Sequence, residues 1–264
     1  MTLSAHIDGI SVIGPGFADW PAAEAVLAGR AVYVPAPTVV PLPLSLPAAE
    51  RRRTGHLVRL AIANGLEGAA RAGLAVAPLA TVFSSSGADG DNCHEICQTL
   101  AGAERQLSPT RFHNSVHNVP AGYWSIATGS MAPSTTLCAY DASFAAGLLE
   151  ALTQVVILNR AVLLISCDAG YPWPLHEKRP IPDSFGTAMA LVPERSERSI
   201  ARLSAWIDRG DIDTLDVAGL EQVRQGTPAG RALPLLALLA RRVAGTVTLE
   251  YLGATGLCSK VQPC

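Results

Sequence analysis

The sequence predicts an α/β fold in which helices cover both faces of a sheet. Its clearest signals are three short apolar runs, "ATVFSSSG" at 80–87, "AVLLISCDA" at 161–169 and "GTAMALVPE" at 186–194. Runs of this length that are apolar throughout are typical of strands buried on both faces. Segments with helical spacing of apolar residues lie between them, and this alternation is typical of layered α/β domains.

The N-terminal elements follow from local signals. "HIDGISVIGPGF" at 6–17 predicts a strand that ends in a turn at 14–16. "DWPAAEAVLAG" at 19–29 predicts a helix with Asp19 as its N-cap and Pro21 in its first turn. The proline-rich segment 34–50 is expected to be extended or irregular. Apolar residues at helical spacing predict a long helix within 49–74, ending at Gly73.

The second half of the chain repeats the alternation. "STTLCAY" at 134–140 predicts a short buried strand, and "ASFAAGLLEALTQVVILN" at 142–159 predicts a strongly apolar helix. Further strands are expected at 161–169, 186–194, 202–208 and 245–253. Because no repeat or linker divides the sequence, residues 1–264 are expected to form one domain.

The composition limits the classes of function. Hydrophobic residues make up 49% of the 264 residues and charged residues 16%, against about 25% charged in typical soluble domains. This apolar excess is consistent with a large subunit interface or with an Ala- and Leu-rich core. The net charge of −2 gives no basic footprint for nucleic acid.

The sequence predicts a cytoplasmic protein. No uninterrupted apolar run approaches the ~18 residues that a membrane span needs, and the first residues lack a basic region followed by an apolar stretch. The six cysteines are therefore expected to be reduced thiols.

Neither a metal nor a cofactor is predicted. Cys93, Cys97, His113 and His117 have the loose spacing of a zinc site, but a zinc finger is a separate small module and this segment lies inside a larger domain. The turn "IGPGFAD" has two glycines of a dinucleotide-binding pattern. Asp19 stands in place of the third, and its carboxylate would repel a pyrophosphate.

The segment 109–152, "PTRFHNSVHNVPAGYWSIATGSMAPSTTLCAYDASFAAGLLEAL", resembles the β-ketoacyl synthases of the thiolase superfamily. The matching positions are Pro109, Phe112, Asn118, Ala121, Gly122, Pro133, Ser134, Thr136, Ala142 and Ser143. Looser similarity extends over about residues 5–195. The resemblance implies a thiolase-like layered α/β fold that corresponds mainly to the N-terminal half of a ketosynthase.

The resemblance places the nucleophilic cysteine of the family at Asp141. Cys138 falls three positions earlier, within the preceding strand, where a small buried residue is expected. A carboxylate cannot carry an acyl group as a thioester, so Asp141 is expected to cap the following helix instead. The two histidines that the family uses for decarboxylation are not matched either, because His176 is the only histidine after Asp141.

This combination is similar to the short chain-length factors of aryl polyene and related type II polyketide systems. It implies no catalytic residue, a heterodimer with a full-length ketosynthase, and contact with an acyl carrier protein through that complex. The expected tunnel and interface residues are Phe112, Asn118, Tyr123, Trp124, Asp141 and Phe144. Tyr123 and Trp124 are bulky enough to form the floor of a tunnel, and the alternative is that both are core aromatics.

Two other functions stay open at this point. A small ketosynthase or acyltransferase would use Cys138 as its nucleophile, so it predicts acylation of that thiol. An acyl-binding module without a ketosynthase partner predicts a stable monomer or homodimer.

Overall fold

The computed structural model describes residues 2–87, 89–103 and 105–264. Its centre is an eight-stranded mixed sheet with the strand order β3-β2-β4-β5-β1-β6-β8-β7. The strands are β1 (Leu3–Ile13), β2 (Ala80–Ser84), β3 (Ser134–Leu137), β4 (Val162–Asp168), β5 (Phe185–Val192), β6 (Ala201–Asp208), β7 (Gly245–Glu250) and β8 (Gly256–Pro263).

Strand direction divides the sheet into two parts. β2 runs parallel to both of its neighbours, β3 and β4. All other neighbouring pairs are antiparallel. The carboxyl ends of β2, β3 and β4 therefore meet at one edge of the sheet, where the loops that follow them come together.

Helices cover both faces of the sheet. They are α1 (Trp20–Leu27), α2 (Ala48–Arg51), α3 (His56–Ala72), α4 (Gly90–Ala101), α5 (Pro109–His113), α6 (Val119–Thr128), α7 (Ser143–Leu158), α8 (Leu175–Lys178), α9 (Ala218–Gly226) and α10 (Leu233–Arg241). α3 packs on β1, β4 and β5, whereas α7 packs against β2 and β4. On α7 the buried residues recur at helical spacing: Phe144, Leu148, Ala151, Leu152 and Val155.

Close packing between α7 and the sheet depends on a glycine. A Cβ atom at Gly147 would lie 2.6 Å from Ser84 Oγ and 3.0 Å from a methyl group of Leu164. The absence of a side chain at Gly147 therefore lets α7 approach the end of β2 at Ser84 and the middle of β4 at Leu164.

The layered α/β fold is confirmed, and several element boundaries differ from the sequence predictions. The segment 49–74, which was predicted as one helix, forms two helices, and residues 52–55 between α2 and α3 are not helical. β3 ends at Leu137 and is partly exposed, since it lies at the edge of the sheet. β8 and α10 were not predicted.

The expectation that the chain has no membrane span is not confirmed, because one helical segment passes a test of length and composition. The helical segment Tyr140–Leu158 has 19 residues and a mean hydropathy of 1.4. Half of this segment is buried against the rest of the protein. A core helix passes the same test, so one such segment is weak evidence for a membrane helix.

Candidate functional site

The candidate site lies where the carboxyl ends of β2, β3 and β4 meet. Three loops converge there: the serines that follow β2, residues 138–142 after β3, and the segment after Asp168 at the end of β4. The Cys138 thiol donates a hydrogen bond to the Ser86 carbonyl at 3.2 Å, which joins the first two loops. Ligand sites of α/β sheets commonly form at such an edge.

Asp141 occupies the turn between β3 and α7. The turn is a 3-10 helix, Tyr140–Ala142, and Tyr140 has the left-handed backbone conformation with φ of 54°. The Ser143 hydroxyl closes the turn by donating to the Tyr140 carbonyl at 2.7 Å and accepting from the Ala139 amide at 3.0 Å. A non-glycine residue with positive φ costs of the order of 1 kcal/mol, so the surrounding contacts must hold this turn.

Two arginines hold the Asp141 carboxylate from separate elements. Arg179, which follows α8, donates from Nη2 to Oδ1 at 2.8 Å. Arg231, in the 3-10 turn Ala229–Ala232, lies 2.9 Å from Oδ2 through Nη2. Its Nε also donates to the Asp141 carbonyl at 3.1 Å. The turn is thereby tied to two segments far away in the sequence.

The pair of arginines determines the charge of Asp141. Partial burial by itself would raise the pKa of this carboxyl group, but the hydrogen bond from Arg179 and the charge of Arg231 outweigh burial. The pKa is therefore lowered from its ordinary value of 3.8. Asp141 is an ionised, partnered carboxylate at neutral pH.

The prediction that Asp141 caps α7 is wrong. The N-cap of α7 is Ala142, and no side chain caps the helix there. The carboxylate turns to the two guanidinium groups because a charged donor makes a stronger hydrogen bond than a neutral amide. The placement of Cys138 within a buried strand is also wrong, since Cys138 follows the last residue of β3 and is exposed.

Asp168, the last residue of β4, accepts hydrogen bonds from two other segments at the same edge of the sheet. This carboxylate is 3% exposed and accepts from the Ser86 amide and hydroxyl at 2.7 Å each, and from the Ala229 amide at 2.9 Å. Burial raises its pKa, against the lowering effect of these hydrogen bonds. Asp168 therefore anchors both the loop after β2 and the turn that carries Arg231.

The other predicted site residues fall into an exposed group and a buried group. Phe112 is 67% exposed and Asn118, at the start of α6, is exposed. Tyr123, Trp124 and Phe144 are buried within this chain at 3%, 1% and 1% exposure. Trp124 lies edge-on to Phe83 with ring centroids 6.3 Å apart. None of these five side chains forms a hydrogen bond or an ion pair with the Asp141 carboxylate, whose partners are arginines.

A small cavity lies beneath the ends of β2 and β3. Its lining includes Phe83, Ser85, His117 and Thr136. The volume is about 10 Å³, about what one water molecule requires. An acyl chain does not fit this cavity as it stands.

The four residues with zinc-like spacing are not gathered. His117 Nε2 lies 3.0 Å from the Ser85 hydroxyl, as a loop contact, and His113 stands edge-on to Tyr123. Cys93 and Cys97 lie one turn apart on α4. Across 2–87, 89–103 and 105–264, no three His, Cys, Asp or Glu side chains are placed to hold a metal ion.

Sequence reasoning missed Arg179 and Arg231. They lie 38 and 90 residues from Asp141 along the chain. Neither belongs to a motif or a periodic pattern, so no local signal identifies them. Only the folded chain brings them to one carboxylate.

Comparison with known proteins identifies the family. The model of the β-ketoacyl synthase N-terminal domain matches residues 20–246. No curated protein matches this chain.

Three solved structures show the same fold. The ketosynthase ApeO in complex with its chain length factor ApeC, from Xenorhabdus doucetiae, matches with a TM-score of 0.75 and 22% identity, over 98% of this chain and 99% of that chain. The ishigamide ketosynthase/chain length factor matches with a TM-score of 0.70 and 14% identity, over 98% of this chain and 99% of that chain. AntDE:AntF is a type II polyketide synthase acyl-carrier protein with its ketosynthase bound to the hexaketide. It matches with a TM-score of 0.79 and 9% identity, over 100% of both chains.

At these identities the structural likeness shows the fold alone, whereas the family model spans most of the sequence. The turn that carries Asp141 lies inside the matched range. The protein therefore belongs to the β-ketoacyl synthase family and has the thiolase-like fold of the N-terminal domain of that family.

Proposed function

We propose that this chain is a non-catalytic chain-length factor, which pairs with an active ketosynthase during acyl-carrier-dependent chain elongation. The observation that carries the proposal is the state of Asp141, which the family resemblance places at the nucleophile position. Asp141 stands there as an ionised carboxylate, held at 2.8 and 2.9 Å by two arginines.

The chemistry of that position opposes catalysis. Condensation through a thioester requires a thiolate at the turn before α7. A carboxylate could form only a mixed anhydride, which water would hydrolyse. Both carboxylate oxygens of Asp141 are already engaged.

The edge of the sheet offers a place for the partner subunit. β3 is the terminal strand on its side and pairs only with β2 within the described part of the chain. Exposed apolar side chains flank it: Met131 is 95% exposed, Tyr140 60% and Ile126 50%. A free strand edge beside apolar side chains is a common site of subunit pairing.

The similar structures support this reading. Two of them are described as a ketosynthase with its chain length factor, and the third includes an acyl-carrier protein. We extend these partners to this chain as a ketosynthase heterodimer that receives acyl groups from a carrier protein. The pathway we propose is cytoplasmic aryl polyene, polyketide or fatty-acid-like elongation.

Co-purification with a candidate full-length ketosynthase tests the proposal. We expect a one-to-one complex in which incubation with an acyl-carrier thioester adds acyl mass only to the ketosynthase. Intact-mass analysis of both subunits is the measurement. Acyl mass on this chain, mapped to Cys138 and abolished by Cys138→Ser, would show that the protein is an enzyme. A stable monomer or homodimer that does not bind the ketosynthase would favour an acyl-binding module.

Trp124 tests whether α6 sets product length. Trp124→Ala removes a side chain that is 99% buried, so we expect a loss of about 3–5 kcal/mol of stability. In the intact complex we expect longer products, because the proposal places α6 at the subunit interface beside the tunnel of the partner. Mass spectrometry of the released products measures this change.

Trp124→Phe is the matched control for Trp124→Ala. The indole Nε1 of Trp124 is buried and has no hydrogen-bond partner among the described residues, so phenylalanine removes an unsatisfied donor and keeps most of the ring. We expect product lengths close to the wild type. An unchanged distribution for Trp124→Ala in an intact complex means that Trp124 is a core aromatic without a gating role.

A further inference from the structure

The two arginines at Asp141 are held by contacts that do not involve its carboxylate. Arg231 Nη1 lies 3.3 Å from Glu250 Oε2 and 3.4 Å from the Arg224 carbonyl. The Arg179 guanidinium lies over the Tyr140 ring, 3.6 Å from its centroid. Both side chains are mostly buried, at 17% and 12% exposure for Arg179 and Arg231. Their guanidinium groups are therefore positioned in advance.

The geometry around Asp141 matches the recognition of a carboxylate. One guanidinium engages each carboxylate oxygen, at 2.8 and 2.9 Å, and guanidinium groups are suited to this planar anion. The Asp141 side chain is 27% exposed, so solvent reaches the position. A small anion could enter and leave if the aspartate side chain were absent.

We infer that Arg179 and Arg231 form a carboxylate-binding site, which the chain fills with its own Asp141. Its ligand class is a small monocarboxylate of the size of formate or acetate. In the native protein Asp141 acts as a built-in occupant that keeps external carboxylates out. This inference does not depend on the identity of the partner subunit.

The charges give the reason for an internal occupant. Glu250 compensates part of the charge of Arg231, and Asp141 supplies the second carboxylate. Without Asp141, Arg231 would keep only Glu250, which is 38% exposed, and Arg179 would have no ion-pair partner among the described residues. Uncompensated charges that are withdrawn from water are costly, so the emptied site is expected to favour an added anion.

Asp141→Ala tests the inference by emptying the site. We compare thermal unfolding of the full chain in sodium chloride and in sodium formate at equal ionic strength. The variant is expected to have a lower Tm than the wild type in chloride. Formate is expected to raise that Tm in proportion to ln(1 + [formate]/Kd), by about 3 °C at about tenfold its Kd. Wild-type protein is expected to show no response specific to formate.

Three control variants define the site. Asp141→Asn keeps an uncharged group in place, so formate is not expected to stabilise it. Asp141→Ala combined with Arg231→Gln retains one guanidinium and is expected to lose the response. Glu50→Ala empties an exposed pair in which Arg53 makes one contact, from Nη1 at 3.0 Å, and is expected to show none.

A folded Asp141→Ala protein with equal Tm in formate and chloride would overturn the inference. So would an equal formate response in the variant that also lacks Arg231. If Asp141→Ala does not fold in chloride, refolding in formate replaces the Tm measurement. Recovery in formate alone then supports the site, and failure in both salts refutes it.

Discussion

Asp141→Cys is expected to create the most acidic thiol in the chain. The new sulfur would stand beside Arg179 and Arg231, which now lie 2.8 and 2.9 Å from the carboxylate oxygens, and close to the positive end of α7. Opposite charges at this range lower a pKa by about 1–3 units. We expect an apparent thiol pKa about two units below the ordinary value of ~8.5. The pH dependence of iodoacetamide alkylation, followed by mass spectrometry, measures it.

The control for this result removes one cation. In the variant that combines Asp141→Cys with Arg231→Gln, the thiol pKa is expected to return part of the way toward its ordinary value. An ordinary pKa in the single variant would contradict the arrangement of the two arginines.

Acylation without condensation is expected from Asp141→Cys, because His176 is the only histidine after this position.

Asp168→Ala is expected to destabilise the folded chain strongly. It leaves three donors without a partner, the Ser86 amide and hydroxyl and the Ala229 amide. A buried donor without a partner costs about 1–3 kcal/mol, so we expect a total loss of about 3 kcal/mol or more. Thermal and urea unfolding of the purified chain measure this loss.

Asp19→Ala is the matched control for Asp168→Ala. Asp19 also accepts a backbone hydrogen bond, from the Ala22 amide at 2.9 Å, but this N-cap contact is exposed to solvent. Its removal is expected to cost about 1 kcal/mol. If Asp168→Ala costs no more than Asp19→Ala, then Asp168 does not anchor the loop after β2 and the turn of Arg231.

Much of the fold follows from local sequence signals. Continuous apolar runs predicted the buried strands β2, β4 and β5, because a strand covered by helices on both faces carries no polar side. The N-cap at Asp19 and the end of the long helix at Gly73, which has φ of 67°, were also predicted correctly. These signals depend on neighbouring residues, so one sequence is enough to read them.

Edge elements and boundaries were predicted less well. β3 was expected to be buried, but its position at the end of the sheet leaves it partly exposed. The order of strands in a sheet depends on long-range pairing, which the apolar pattern of a strand does not contain. For the same reason the exposure of Cys138 was not predicted.

The sequence by itself determined the fold class, and its resemblance to the family predicts that Asp141 stands where the family has its cysteine. Only the tertiary structure decided what Asp141 does there. Arg179 and Arg231 reach it from 38 and 90 residues away, and two charged donors outcompete the helix amides that local reasoning favoured. Local propensity acts between neighbours in the chain, whereas an ion pair forms between whatever charges the fold brings together.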